Sequence, residues 1–443
     1  MQNGVHNDIL STLLNQLWRV VAGPVLLLCI PMYLSPAEQG YWYTFTSIAA
    51  LSVFADLGFS AIVLQFTAHE FAYLEFCQQG TIYGEEMALW RLASFFRFCL
   101  RWLLRMMGIV FPLILLGGWL FLNLNVKESN VEWHGAWLAY ASMSAMAFFN
   151  ATMLSFFEGC SSVARVQKIR LLVAAANTIV MIAGLILGAG LWALAVGQIF
   201  AALMGSFLLR ANFLPAMRQL YGLARGDCYD WRKEFYRLIW RYAISWSSGY
   251  FIFQLFVPIA FACFGAEYAG MVGMSIAMWT AGFNISFAWI TSVVPRINIL
   301  IETKKWHELD AMFQQRCLYA VTTFLSGSMI FFAAMSIFAD IGIFQRLLPF
   351  EAMLFLCVCW VCQTWVNSVA MYLRGHKQEP LMMLSLVSAL YVALTTLLCA
   401  QYLPKEYLFV GFFSSYLWGS PIIYRIYRRY KQGHCILKAG GQA

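Results

Sequence analysis

The chain has 443 residues, of which 61% are hydrophobic and only 11% charged. Soluble domains carry about 25% charged residues, so this composition excludes an ordinary water-soluble fold and points to lipid as the solvent. A net charge of +8 would suggest a nucleic-acid partner in a soluble protein, but here the bases sit in loops beside apolar runs and no such partner is expected.

A helix that crosses the hydrocarbon layer needs roughly 20 apolar residues. Dividing the chain at its charged segments predicts spans near 17–34, 42–67, 105–125, 135–157, 171–190, 191–209, 242–264, 270–294, 317–340, 352–372, 381–402 and 408–424. The runs are continuously apolar rather than alternating, which argues against a β-barrel and for an all-α polytopic membrane protein of about twelve transmembrane helices. The polar start Met1–Gln16 lacks the basic leader of a cleavable signal peptide, so the first span is expected to remain.

Cytoplasmic loops concentrate Lys and Arg. Segments 68–105, 158–170, 210–241, 295–316, 373–380 and 425–443 hold 25 of the 29 bases, and the intervening loops hold Lys127, Arg346 and Lys405. This alternation predicts both termini in the cytoplasm. The first basic segment carries Arg97, Arg101 and Arg105 at four-residue spacing among Phe95, Phe96, Phe98 and Trp102, the pattern of a helix lying in the interface with its arginines snorkelling to headgroups. The longest, Arg210–Arg241, predicts an N-lobe over 1–209 (helices 1–6), a basic linker over 210–241, a C-lobe over 242–424 (helices 7–12) and a basic tail over 425–443. An internal echo supports the division. Pro31 precedes Ala37-Glu38-Gln39-Gly40, and Pro258 precedes Ala266-Glu267-Tyr268-Ala269-Gly270.

The twelve cysteines are scattered, and the nearest to a motif, Cys357, Cys359 and Cys362, have no histidine or second cysteine pair beside them. They are read as packing residues, with no metal or other cofactor expected. Whether transport is coupled to protons or sodium is left open.

Charge at membrane depth is costly, so ionisable residues inside spans are functional candidates. Arg19 lies 15 residues before Leu34 and Asp56 lies 14 residues after Trp42, which at ~1.5 Å per residue puts both about 21–23 Å inward on adjacent antiparallel helices. They form either a cavity-facing pair, a merely neutralising salt bridge, or an Asp56 alone with Arg19 reaching the headgroups. Polar stripes follow at helical spacing: Ser247 and Gln254 in span 7, Thr280, Asn284 and Thr291 in span 8, and Gln363, Asn367 and Arg374 in span 10. Each is either interhelical glue or part of one water-lined cavity, whose cytoplasmic mouth Arg241 and Arg296 would ring and make suited to an anion. Trp246 and Trp279 are candidates to stack on sugar rings, against ordinary packing.

The segment Arg19–Phe59, with Gly23-Pro24, Pro31, Ser35-Pro36-Ala37-Glu38-Gln39-Gly40-Tyr41-Trp42 and Asp56-Leu57-Gly58-Phe59, resembles the start of the polysaccharide flippases of the multidrug/oligosaccharidyl-lipid/polysaccharide exporter superfamily. Asn150, Glu158-Gly159, Arg165, Ile244–Phe251, Gln254, Pro258, Ala269-Gly270 and Pro295 extend the likeness through spans 4, 7 and 8. The resemblance implies two six-helix lobes forming a V, a cavity lined mainly by helices 1, 2, 7 and 8, and outward movement of a polyprenyl-pyrophosphate-linked oligosaccharide across a bacterial inner membrane, with polysaccharide polymerase machinery as a further partner beside membrane lipids. Drug-exporting relatives often carry an acid in helix 1, where this chain has Arg19, and lipid II flippases usually have fourteen helices.

The expected function is therefore flipping of O-antigen or related repeat units by a transporter rather than an enzyme. The alternatives are a multidrug or cation antiporter of the same superfamily and a membrane-embedded glycan-modifying transferase or polymerase. An enzyme would show clustered acids or a histidine constellation at one face, and a polymerase a large outer loop; the outer loops here run to about a dozen residues. Cysteine labelling or reporter fusions should place 68–105, 210–241, 295–316 and the tail after Arg425 inside, and 126–134 and 341–351 outside. A linker found outside would break the two-half organisation.

Overall fold

The structure, a computed structural model, describes residues 2–125, 131–223, 229–338, 340–376 and 380–439; the side chains of residues 2–9, 19, 233, 234, 236–238, 241 and 433–439 fall outside that description. Two compact units emerge, Met1–Ser247 and Ser248–Ala443.

In the first unit α1 (Gln2–Tyr33) is followed by α2 (Pro36–Ala49), a 3-10 turn, α3 (Val53–Asp56) and α4 (Phe59–Glu70). Ser35 starts α2 with a reciprocal cap: its hydroxyl accepts the Glu38 amide at 3.2 Å, and the Glu38 carboxylate accepts the Ser35 amide at 2.8 Å, with Pro36 in the first turn. A hairpin of β1 (Leu74–Phe76) and β2 (Ile82–Gly84) then leads to α5 (Glu86–Asn125), α6 (His134–Gly159), α7 (Val163–Ile186), α8 (Trp192–Leu223) and α9 (Arg232–Phe253). The second unit takes the last turns of α9, then α10 (Phe256–Phe264), α11 (Ala266–Thr291), α12 (Val294–Glu302), α13 (Trp306–Ile337), the single turn α14 (Gly342–Gln345), α15 (Phe350–Gly375), α16 (Met382–Tyr402) and α17 (Val410–Ala439).

Each of the twelve expected spans falls on one of these helical stretches. Among the described residues nine are long and apolar enough to cross a membrane, or ten if Pro36–Asp56 and Phe59–Tyr73, bent by 41°, form one span. The remaining two expected spans lie on α6 and α17, which have 26 and 30 residues. The sequence echo is realised as matching helix starts, because Glu38 and Glu267 stand in the first turns of α2 and α11, where a carboxylate favours the positive end of the helix dipole.

Helix α5 shows the solvent directly. Its Leu104, Ile109, Leu113, Leu116, Leu120 and Leu124 are each at least 57% exposed, while Phe111, Ile114, Gly118 and Leu122 are buried on the other side. An apolar stripe of that length has no place in water and suits acyl chains. At 40 residues and about 1.5 Å per residue α5 is ~60 Å long, twice the ~30 Å hydrocarbon core. The arginines 97, 101 and 105 therefore do not lie on a separate interfacial helix, as their spacing suggested; they occupy the extension of a span that continues without a break.

The basic stretch 210–241 is likewise not a free-standing linker. Its first part continues α8 to Leu223, its last part belongs to α9, and the boundary between the compact units falls later, after Ser247. Trp231, Phe235 and Ile239 are buried in the first unit's core beside Phe95, Phe96, Phe156, Phe157 and Phe213. Phe157 and Phe213 stack at 4.2 Å. The hairpin buries Leu74 and Ile82 in this core, and Gln219 clamps it further, accepting the Ile82 amide and donating to its carbonyl, both at 2.7 Å.

In the second unit α11 packs on α10, α13 and α15, and α17 on α15 and α16. Its basic end is closed by Ile290, Ile297, Leu309, Phe313, Val369 and Tyr372. Tyr372 donates to Asp310 at 2.9 Å, and Lys431 pairs with the same carboxylate at 3.3 Å.

Gly117 and Gly118 provide an internal comparison. A Cβ at Gly117 meets nothing within 4 Å, whereas one at Gly118 would overlap the Trp137 ring, which is fixed by donation from Nε1 to the Leu115 carbonyl at 3.0 Å. Gly118→Ala should lower stability by about 1–3 kcal/mol from overpacking, and Gly117→Ala should leave it unchanged or raise it by about 0.5–1 kcal/mol. Melting curves of the two purified variants in one detergent measure the difference, and equal midpoints would refute the packing.

Candidate functional site

The second span is broken immediately after Asp56. Leu57 and Gly58 both take left-handed backbone conformations, with φ of 46° and 77°, and α4 restarts at Phe59 on a new axis. For leucine that conformation is strained by about 1–2 kcal/mol. The break leaves the first amides of α4 without helical partners. The half-buried Asp56 carboxylate takes one of them, accepting the Ser60 amide at 3.1 Å and the Ser60 hydroxyl at 2.5 Å. Ser60 in turn lies 3.1 Å from the hydroxyl of Thr152 on α6, which is fully buried and donates to the Phe148 carbonyl at 3.2 Å. The carboxylate thus sits at the positive end of α4 and at the head of a hydroxyl chain that ties α4 to α6.

Gly58 also lets α9 approach. A Cβ there would stand 2.7 Å from Tyr242 Cβ and 3.4 Å from Trp246 Cδ1, so any side chain would meet α9 as well as an unfavourable φ. Two residues selected from the sequence for different reasons, Asp56 and Trp246, therefore flank one interruption. Trp246 is 48% exposed, leaving much of its indole face open. Arg19 and Arg241 stand on α1 and α9, and their side chains lie outside the described residues, as does the expected Arg19–Asp56 contact.

In the second unit Gln254 occupies the turn between α9 and α10, its amide bonded to the Tyr250 carbonyl at 2.8 Å, and it is exposed. Asn284 on α11 is exposed too. Arg296, beside Pro295 in the first turn of α12, is 64% exposed and pairs with Glu308 at 2.6 Å. Trp279 is placed otherwise than a sugar platform requires. It is 3% exposed, boxed in by Phe324, Phe331 and Phe332 with ring centroids 5.6–5.7 Å away, so its faces are spent on packing. Gln363, from the stripe in span 10, accepts the Tyr416 hydroxyl at 2.6 Å and ties α15 to α17. Among the described residues no group of three or more His, Cys, Asp or Glu is placed to hold a metal ion.

One polar relay was not anticipated as a site. Asn15 on α1 donates to Gln167 on α7 at 2.8 Å, Gln167 donates to Glu158 on α6 at 2.8 Å, and Glu158 pairs with Arg170 at 2.8 Å. Arg170 closes it on Ser155 at 3.2 Å. The signal available was Glu158, an acid at the end of an apolar run, with Gln167 and Arg170 three residues apart on the next helix. The relay binds three helices together and leaves the acid neutralised.

The capping role of Asp56 separates its charge from its shape. Asp56→Asn retains an acceptor for the Ser60 amide and should change stability little, whereas Asp56→Ala should cost about 0.5–2 kcal/mol, the range for a lost helix cap. Thermal unfolding of the two purified variants tests this; equal losses would show that the carboxylate does not cap α4.

Neither a protein-family model nor any curated protein matches the sequence. Solved structures do match over nearly the whole chain. A multidrug resistance MATE family transporter of the MOP superfamily, in an inward-facing conformation, is similar at a TM-score of 0.66 and 12% identity, covering 95% of both chains. The lipid II flippase MurJ in an inward closed conformation is similar at 0.62 and 10% identity, covering 98% of this chain and 91% of that one. A MOP superfamily transporter from Pyrococcus furiosus, described as having a binding pocket of reverse polarity, is similar at 0.50 and 14% identity, covering 97% and 93%. The chain therefore has the fold of the multidrug/oligosaccharidyl-lipid/polysaccharide exporter (MOP) superfamily.

Proposed function

We propose that the chain is a flippase that moves polyprenyl-pyrophosphate-linked oligosaccharide repeat units, of O-antigen or a related surface polysaccharide, from the cytoplasmic to the outer face of a bacterial inner membrane by alternating access. The observation that carries this reading is the polarity of the first span: between Leu10 and Tyr33 its one ionisable group of full charge is Arg19, and it has no acid. A fixed cation repels a cationic drug and attracts a pyrophosphate. Similarity to a protein named as a lipid II flippase, and to one named for reversed pocket polarity, supports the idea that this fold accommodates such a substrate.

Two further features agree. Among the described residues Arg296 is held by an exposed ion pair with Glu308, and such pairs are worth about 0–1 kcal/mol, so a phosphate can displace the carboxylate. Trp246 offers an open indole face beside the interrupted span, the kind of surface on which sugar rings stack. The rival reading as a multidrug antiporter draws on Asp56, a half-buried carboxylate, yet that carboxylate is already engaged by Ser60. Partners in this reading are the lipid-linked oligosaccharide, membrane lipids and the polysaccharide polymerase machinery.

Deleting the gene should cause lipid-linked glycan to accumulate on the inner face with its assembly intact. Arg19→Ala and Arg296→Ala should each reduce surface polysaccharide while inserting at normal levels, and lysine at either site should restore export in part, since it returns the point charge without the planar fork. Precursor reaching the outer face at the normal rate in the deletion strain, or a halt in its synthesis, would refute the flippase.

A further inference from the structure

At the basic end of the first unit, α5 and the turn that begins α9 enclose a cavity of about 290 Å³, close to the lower end of the roughly 300–1,000 Å³ range of small-ligand sites. Arg101 and Arg105 line it from α5, Arg232 lines it from the start of α9, and Trp102, Tyr229 and Asp230 complete the wall. Arg101 and Arg105 are one helical turn apart, a spacing at which like charges repel. Three guanidinium groups therefore face one carboxylate, and that carboxylate is partly engaged, since Asp230 accepts the Arg232 backbone amide at 3.2 Å. Among the described residues none of the three arginines is in an ion pair; Arg101 donates from Nε to the Arg97 carbonyl at a long 3.4 Å.

The wall is built before any ligand arrives. Trp231, 1% exposed, meets Phe95 edge-on at 4.9 Å and Tyr229 at 4.7 Å. Arg91 lies over the Tyr229 and Trp231 rings at 4.9 and 5.4 Å and is itself anchored on Glu70 at 2.8 Å. Trp102 packs against Phe235 at 5.1 Å and Phe59 at 5.6 Å. The aromatic wall is thus ordered by its own packing, and the exposed Arg101, Arg105 and Arg232 stand along the cavity it backs, so little ordering of the wall remains to be done on binding. The start of the 22-residue α9 adds the positive end of a helix dipole on the same side.

We propose that this cavity is a binding site for a phosphate group, separate from the residues assigned to transport. Its chemistry is that of a phosphate ester or free phosphate: planar forks for the oxygens, indole and phenol faces for an apolar or sugar substituent. Two sources carry that chemistry, the headgroup of an anionic phospholipid and a soluble phosphate compound. The test needs no export assay and so stands or falls apart from the flippase reading.

Full-length protein is compared in two arms. In delipidated detergent solution, calorimetric titration with inorganic phosphate and pyrophosphate measures soluble binding; in phosphatidylcholine nanodiscs with or without phosphatidylglycerol, native mass spectrometry measures retained lipid. Arg101→Gln/Arg105→Gln and, separately, Arg232→Gln should weaken binding by about tenfold or more, the size of one lost charge-assisted contact, with Arg105→Lys intermediate. Loss confined to phosphatidylglycerol assigns the headgroup; loss in both arms assigns a soluble phosphate as well. Unchanged binding in both arms by variants that melt like the parent overturns the proposal. Should the double variant fail to fold, Arg232→Gln, at an exposed first helical residue, decides alone.

Discussion

A peptide group released from a helix costs several kcal/mol inside hydrocarbon unless the chain itself supplies its hydrogen-bond partner. At the interruption after Asp56 the partner is the Asp56 carboxylate, which takes the Ser60 amide and hydroxyl and passes the connection to Thr152 on α6. The geometry of the first unit depends on this. Across the 41° bend between Pro36–Asp56 and Phe59–Tyr73 the restarted helix is capped, and α9 comes so close that a Cβ at position 58 would stand 2.7 Å from Tyr242 Cβ. The same residues that break the helix also bring Trp246 to the break.

The remaining polar groups divide by what they hold. Gln363 with Tyr416, and Asn15 through Gln167 and Glu158 to Arg170, join neighbouring helices. Lipid gives packed helices little hydrophobic incentive to associate, so such bonds and close approaches at small residues fix which faces meet. Gln254, Asn284, Arg296 and Trp246 are exposed, and in the proposed flippase each would be open to a substrate.

The positions of the spans were legible because twenty-residue apolar runs are a direct consequence of bilayer thickness, and the basic segments were legible because charge cannot be hidden in them. The break at Leu57-Gly58 was not, since both residues are compatible with an apolar window and only the backbone reveals their left-handed turn. Asp56 was selected for its charge and proves to act first as a cap. The arginines at 97, 101 and 105 marked a basic face correctly, but the same spacing describes a helix lying in the interface and one that projects beyond it; the 40-residue α5 does the latter. Trp279 shows the limit from the other direction: an aromatic residue beside a polar stripe has the same sequence signature whether it faces water or three phenylalanines. The Gln219 clamp and the short hairpin had no signal at all, being a contact between residues 137 positions apart.

Why a common fold can serve different substrates follows from the same division. Helix packing is set by buried apolar residues and a few polar ties, which tolerate wide change in sequence, as the 10–14% identities across similar structures show. Substrate polarity depends on a handful of ionisable groups that the packing does not require. An arginine in place of an acid in a membrane span reverses the field at that depth, where low dielectric makes one charge count for far more than in water. In the proposed flippase Arg19 is the group that would give the first span that polarity.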